Sequence, residues 1–240
     1  MKRFGLIGSP VAGSLSPRLF EAAYGGRHRY DLIEGAEFSA SWQRFLDGYD
    51  GINITAPFKL DAFRSVEVLS ESARLCGAVN LAVKTPEGLL GCNTDVDGVE
   101  RAVLETGLPV SEALVVGCGG AGRAAAVAAA RLGCRVTLAN RTASRAEALA
   151  ETLGCAWAPV GDLPLLAPDL VIYTVPGPME DLPDFPDAVV LEANYRTPVL
   201  AGRGRTYVSG LRWLLHQAIA GYSIFTGETP DADAMFRIFC

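Results

Sequence analysis

The sequence predicts an α/β protein built as two α/β domains, with C-terminal helices returning to the first. Three observations predict it. Short apolar runs of strand length alternate with helical stretches along most of the 240 residues. The segment Gly107-Leu-Pro109 punctuates the chain near its middle. A glycine-rich turn, Gly117-Cys-Gly-Gly-Ala-Gly122, then separates an apolar run from an alanine-rich one. A hydrophobic share of 50% provides for a substantial core, and the length suits two modest domains as well as one large one.

In chain order, residues 4–7 read as a short buried strand. A loop of Gly, Ser and Pro follows, then a helix from Ser16-Pro17, with Ser16 placed to cap it and Pro17 suited to its first turn. Residues 30–33 form a strand, 42–46 a helix and 51–55 a strand. Residues 60–76 read as helical segments. Residues 78–84 and 89–92, joined by Pro86-Glu-Gly88, read as a hairpin. A helix runs from Asp95 to about Glu105 and ends at Gly107.

The junction is placed at residues 95–98, so the first domain comprises 1–97 with 211–240 and the second 98–210. The second opens with a strand at 113–116, the glycine turn, a helix to 132 and a strand at 134–139, which is a βαβ unit. Further strands are expected at 170–174, 188–192 and 206–208, and a helix at 211–225.

Composition excludes several classes of partner. A net charge of −6 repels nucleic acid and anionic membrane, so any phosphate site must be local. The six cysteines, at 76, 92, 118, 134, 155 and 240, include no C-x-x-C pair, and no histidine cluster accompanies them. They read as small thiols in a reducing cytosol, with no metal site. The N-terminus runs directly into the first strand, and no stretch of about 20 apolar residues offers a membrane span. A cytoplasmic protein is expected. His28 and His216 read as structural or surface residues.

The turn Gly117, Gly119, Gly120, Ala121, Gly122 fits G-x-G-x-x-G and lies between a strand and a helix, where bare backbone N–H groups accept a pyrophosphate. This is the Rossmann pattern. An NAD site calls for Asp or Glu at the end of the second strand, but the chain has Asn140-Arg141-Thr142 and then Arg145. Two guanidinium groups and short polar side chains suit a 2′-phosphate, which points to NADP. The alternative is that Arg141 and Arg145 only decorate a solvated helix face.

Three further strings are polar where a packing segment would be apolar: Ser14-Leu-Ser16-Pro17, Asn53-Ile-Thr55-Ala-Pro57-Phe-Lys59 and Gly91-Cys-Asn-Thr-Asp95-Val-Asp-Gly98. Each follows a predicted strand, where open α/β sheets bind ligands, and together they suit a polyhydroxylated acid. Taken singly, each polar residue has a local explanation: Ser16 a helix cap, Asn80 a strand-end hydrogen bonder, Lys59 a surface cation, Asp95 a cap for the next helix.

These strings, with Gly77-Ala-Val-Asn80 and the glycine turn, occur in the order found in the shikimate dehydrogenase family, which the chain resembles over nearly its whole length. The resemblance implies an N-terminal substrate-binding domain and a Rossmann NADP-binding domain. It implies that Ser14 and Ser16 bind the substrate carboxylate, that Thr55, Asn80 and Gln217 bond its carboxylate or ring hydroxyls, and that Tyr195 belongs to the substrate site. Lys59 and Asp95 would flank the reacting oxygen, and Gly210 would offer its carbonyl to nicotinamide.

The implied activity is that of an NADP-dependent oxidoreductase acting on a CH–OH group. It reversibly reduces 3-dehydroshikimate to shikimate in aromatic amino-acid and chorismate biosynthesis, without a metal, as a monomer or homodimer. Four positions depart from the family pattern: Gly13 for a histidine, Leu81 for a threonine, Glu192 where Asp is common, and Trp213 for a methionine near the nicotinamide. The chain is also shorter than typical members.

Reduction of a ketone needs a hydride at carbon and a proton for the developing alkoxide, and an ammonium supplies both charge and proton. Lys59 is the candidate donor. A carboxylate beside it favours the charged form, so Asp95 anchors the ammonium and does not make it a better base. The proton transfer belongs to the pair. Two other readings stand beside this one: a paralogue acting on quinate or a related cyclic acid, with relaxed substrate or NAD use, and a non-catalytic dinucleotide-binding regulator.

Overall fold

The computed structural model describes residues 1–239, and Cys240 lies outside the described residues. The chain divides into two compact units, one of Met1–Thr94 with the segment from Gln217 onward, the other Asp95–His216. The sequence pattern places the boundaries at 97/98 and 210/211 instead. The second boundary falls inside a long helix, where no punctuation marks it.

The first unit runs β1 (Arg3–Gly8), α1 (Ser16–Tyr24), β2 (Arg29–Glu34), α2 (Phe38–Gly48), β3 (Gly51–Ile54), α3 (Lys59–Phe63), β4 (Val68–Leu69), α4 (Glu71–Cys76), β5 (Leu81–Thr85) and β6 (Gly88–Cys92). Its sheet has the order β2-β1-β3-β5-β6-β4. β1 is parallel to β2 and β3, which explains why its Phe4-Gly-Leu-Ile-Gly8 run is apolar without alternation: both faces are covered. β5 and β6 form the expected hairpin, with Leu81 opposite Cys92. Ile7, Ile33, Phe45, Ile52, Ile54 and Val79 lie at the centre of the core.

One expectation for this unit is completed and one is corrected. The helical segments within 60–76 are separated by a short strand, because Val68-Leu69 pairs in parallel with Leu90-Gly91. Ser70 then caps α4 by accepting from the Ala73 amide at 3.2 Å. A two-residue strand carries no periodicity of its own, so only the long-range pairing reveals it. Ser16 does not cap α1. It is the first residue of the helix, and its amide is bonded to the Ser14 hydroxyl at 3.2 Å.

The second unit runs α5 (Asp95–Leu104), β7 (Glu112–Val116), α6 (Gly120–Arg131), β8 (Arg135–Ala139), α7 (Ala143–Leu153), β9 (Ala156–Trp157), a 3-10 turn, β10 (Leu170–Tyr173), β11 (Val189–Glu192) and β12 (Thr206–Ser209). Its sheet is wholly parallel, in the order β12-β11-β10-β7-β8-β9. The chain therefore winds outward from β7 through β9, then restarts on the other side of β7 with β10. That reversal is the doubly wound switch point, and it puts the loops after β7 and β10 side by side.

α8 (Gly210–Thr226) begins in the second unit and ends in the first, where α9 (Ala232–Phe236) follows. The C-terminal segment is joined to the first unit by burial and by bonds. The Phe225 ring stacks on Phe4 with centroids 4.8 Å apart, and the Tyr24 hydroxyl donates to the Tyr222 carbonyl at 2.8 Å. Cys76, Cys92 and Cys134 are buried thiols, with Cys118 and Cys155 partly so. Among the described residues no helix is long and apolar enough to cross a membrane, and no cluster of His, Cys, Asp and Glu has a metal-holding arrangement.

Glu192, at the end of β11, is fully buried and accepts from the Val199 amide at 2.7 Å, the Leu200 amide at 3.0 Å and the Tyr207 hydroxyl at 3.1 Å. Glu192→Ala leaves those donors without their acceptor, and is expected to lower stability by about 2–4 kcal/mol, read as a lower urea midpoint.

Candidate active site

The second unit carries a turn shaped for a dinucleotide. Gly117 leaves β7 with φ +106°, a conformation that side chains resist, and a Cβ there would also overlap the Thr174 hydroxyl. Thr174 stands at the end of β10, and its hydroxyl donates to the Val116 carbonyl at 2.9 Å. Gly122 is the second close approach: a Cβ would overlap the Gly117 carbonyl oxygen, so its absence lets α6 pack on the turn. Gly119 differs from both. Its φ is −77°, and a Cβ would meet nothing within 4 Å.

Internal packing thus accounts for Gly117 and Gly122 but not for Gly119, whose exposed, bare backbone leaves room for a ligand's approach. Gly119 precedes α6 without a side-chain cap, and the first turn, with Gly120 and Ala121, holds no acidic residue. N–H groups at such a helix start suit a pyrophosphate. Burial pushes the Cys118 thiol up to about 11, against the opposing pull of Arg123, so it adds no negative charge at neutral pH.

At the end of β8, Asn140 donates to the Thr142 carbonyl at 3.0 Å and shapes the turn into α7. Arg141, Thr142 and Arg145 are exposed there, Thr142 makes no side-chain cap bond, and the first turn of α7 has no acid. A ribose 2′-hydroxyl would find no carboxylate at this turn, whereas a 2′-phosphate would find two guanidinium groups. The residues fit NADP.

The remaining candidates of this unit lie elsewhere in it. Gly210 opens α8 against the end of β11, where a Cβ would overlap the carbonyl oxygens of Glu192 and Ala193. Tyr195 lies half-buried in the loop after β11, with the Arg196 guanidinium 6.0 Å from its ring centre. Asp95 is the buried first residue of α5, and the Trp213 indole donates to its Oδ1 at 3.1 Å. Two residues on, burial raises the Asp97 carboxyl above its ordinary range.

The first unit gathers hydroxyls and amides. The Ser14 hydroxyl donates to that of Ser16 at 3.1 Å, in a loop that Glu34 holds by accepting from the Val11 and Ala12 amides, each at 3.2 Å. The buried Tyr222 hydroxyl donates to the Ser16 carbonyl at 3.0 Å. Asn80 is buried, and its Oδ1 accepts from the Thr94 amide at 2.8 Å. Its Nδ2 donates to the Thr94 hydroxyl at 3.1 Å and to Gln217 Oε1 at 3.4 Å. Asn53 extends the network by donating to the Asn80 carbonyl at 3.3 Å and accepting from the Tyr30 hydroxyl at 2.8 Å.

Thr55 follows β3 and is half-buried, with its amide bonded to the Ile7 carbonyl at 2.9 Å. Lys59 is the half-buried first residue of α3, and its carbonyl accepts from the Val79 amide at 2.9 Å. The structure thus joins Asn80 with Gln217 and Ser14 with Ser16. Sequence reasoning missed Thr94, Tyr30 and Tyr222. Thr94 lies inside one of the polar strings and was legible there, whereas the tyrosines read as ordinary strand and helix residues.

Known proteins resemble this chain over most of its length. The model of the shikimate dehydrogenase substrate binding domain matches residues 6–82. A shikimate dehydrogenase (NADP(+)) of Halobacterium salinarum is 38% identical over 260 residues, covering 98% of this chain and 97% of that protein. The structure of shikimate 5-dehydrogenase from Thermus thermophilus, in complex with NADP(H) and shikimate, has a TM-score of 0.85 at 30% identity and covers 99% of this chain and 98% of its own. A quinate dehydrogenase from Corynebacterium glutamicum in complex with NAD has the same TM-score, 0.85, at 28% identity, with 99% and 98% covered.

The glycines separate packing from binding. Gly119→Ala is expected to leave the melting temperature within about 2 °C, since the added methyl meets no neighbour, while weakening dinucleotide binding severalfold by calorimetry. Gly122→Ala is expected to lower the melting temperature itself, by the cost of overpacking, about 1–3 kcal/mol.

Proposed function

The chain belongs to the shikimate dehydrogenase family, and on that premise we propose that it reversibly reduces 3-dehydroshikimate to shikimate with NADPH, using Lys59 and Asp95 to handle the proton. The observation that carries the substrate assignment is the buried set Asn80, Thr94 and Gln217, a cluster of amide and hydroxyl groups at strand and helix ends that suits a hydroxylated ring. We place the protein in the cytoplasm as a monomer or homodimer, working without nucleic acid, membrane or metal.

Ser14 and Ser16, with their hydroxyls already joined, receive the substrate carboxylate. Thr55, Asn80 and Gln217 hold its carboxylate or ring hydroxyls, and Tyr195 adds a further contact. The turn Gly117–Gly122 receives the pyrophosphate, Asn140, Arg141, Thr142 and Arg145 the 2′-phosphate, and the Gly210 carbonyl the nicotinamide amide. Bound there, NADPH supplies a hydride to the carbonyl carbon.

As negative charge develops on the oxygen, the Lys59 ammonium stabilises it and donates a proton, completing the alcohol. Asp95 accepts hydrogen bonds from the ammonium and the substrate hydroxyl, which fixes their orientation. In the oxidative direction the same groups take the proton back. A carboxylate beside an ammonium favours its charged form and so cannot make it a better base, which leaves orientation as the role assigned to Asp95.

Lys59→Ala is expected to reduce kcat by about 100- to 10,000-fold with little change in the KM for NADPH. A near-normal kcat would remove Lys59 from the chemistry. Arg141→Ala should raise the KM for NADPH, and an unchanged value would leave that arginine as surface decoration. Turnover followed by nicotinamide absorbance, with shikimate and quinate each tested against NADP and NAD, should favour shikimate with NADP. Preference for quinate would identify the paralogue, and no turnover with any pair a regulator.

A further inference from the structure

Trp213 enters the sequence as a departure from a family pattern, with no role attached. In the structure its indole Nε1–H donates to Asp95 Oδ1 at 3.1 Å, across 118 residues of chain, and both side chains are nearly closed to solvent, at 5% and 7% exposure. We propose that Trp213 is a positioning residue for Asp95, orienting the carboxylate for its part in proton handling. The inference rests on the reading that Asp95 takes part in the reaction.

The indole suits this task. It is a donor only, so the bond has one polarity and cannot invert to repel the carboxylate. A donor to an ionised acceptor away from water makes a stronger bond than one on the surface. Holding Oδ1 from one side restricts rotation about the carboxylate's terminal torsion, which is otherwise broad, and so fixes where its plane faces.

The indole is itself held in place. Gly210 seats the start of α8 against the backbone at Glu192 and Ala193, an approach that only a glycine permits. One residue before the tryptophan, Arg212 Nε donates to Glu105 at 2.8 Å, just beyond the end of α5. One turn after it, His216 lies 2.9 Å from the same carboxylate. Burial alone would raise the Glu105 carboxyl, but the bonds from Arg212, with the neighbouring His216 imidazole, outweigh it and hold the carboxyl below its ordinary range. The first two turns of α8 are thus fastened to α5 at Asp95 and again past its last turn.

Trp213→Phe keeps a ring and removes the N–H. It is expected to lower kcat by about 10- to 100-fold, the worth of a hydrogen bond to a charged group, while the KM values for shikimate and NADP stay within about twofold. Trp213→Met, an unbranched apolar side chain without a donor, should behave alike and serves if the phenylalanine variant folds poorly. In an Asp95→Ala background neither substitution should lower kcat further, because its effect passes through the carboxylate. In ¹H–¹⁵N spectra, the indole resonance abolished by Trp213→Phe should move on Asp95→Ala.

An unchanged kcat in Trp213→Phe, or losses that simply add in the double variant, would overturn the positioning role while leaving Asp95 in the reaction. A normal kcat in Asp95→Ala would overturn both. The resonance shift then still reports whether the bond exists, so the two failures are told apart.

Discussion

Asn80 ties together the two points at which the chain leaves and re-enters the first unit. Its oxygen accepts from the amide of Thr94, the last residue before the chain departs, and its nitrogen reaches Gln217, the first residue after it returns. Asn80 is at 3% exposure, so each of these bonds is made where water cannot substitute for it. A single side chain of this kind fixes the hairpin, the departing strand end and the returning helix in one register. Losing it would take from the buried Thr94 amide the acceptor it has here, a cost that an exposed asparagine would not carry.

The same constraint bears on the proposed substrate site. Groups that satisfy one another without a ligand are held in fixed orientations, so a hydroxylated acid bound there as proposed would meet an ordered array and not a set of mobile rotamers. The second unit follows a different logic. Its glycine turn, the proposed phosphate site, relies on what is missing, a side chain at Gly119 and acids at two helix starts. In a protein of net charge −6, that local lack of negative charge is what makes a polyanionic cofactor acceptable at all.

How much of this the sequence disclosed depends on the range of the interaction. The glycine turn was readable because its three requirements, a positive φ, a close helix approach and an open face, all act within six residues of chain. The apolar strands of the second unit were readable because a parallel sheet buried on both faces writes itself as continuous hydrophobic runs. β4 was not, since two residues show no period and exist as a strand only through Leu90 and Gly91. Tyr222 and the indole of Trp213 acquire their roles from partners 206 and 118 positions away, which no local pattern encodes.

The departures from the family pattern sharpen that point. Leu81 is fully buried at the start of β5, in the place of a threonine, and Gly221 of α8 has no room there for even one more carbon, with Leu81 Cδ1 2.9 Å from where its Cβ would stand. The larger side chain is therefore accommodated by the missing one across from it. Glu192 reaches three donors from the end of β11, and Trp213 finds a carboxylate for its N–H. Gly13 stands exposed, and nothing in the structure explains its replacement of a histidine, although its loop is held from Glu34 by two backbone amides. Three of the four differences thus come with a compensating neighbour, and two of those neighbours are groups that must be satisfied when buried. Where a substitution changes the polar character of an enclosed position, the partner has to be found within the fold, and the partner of Trp213 is the carboxylate on which the proposed chemistry depends.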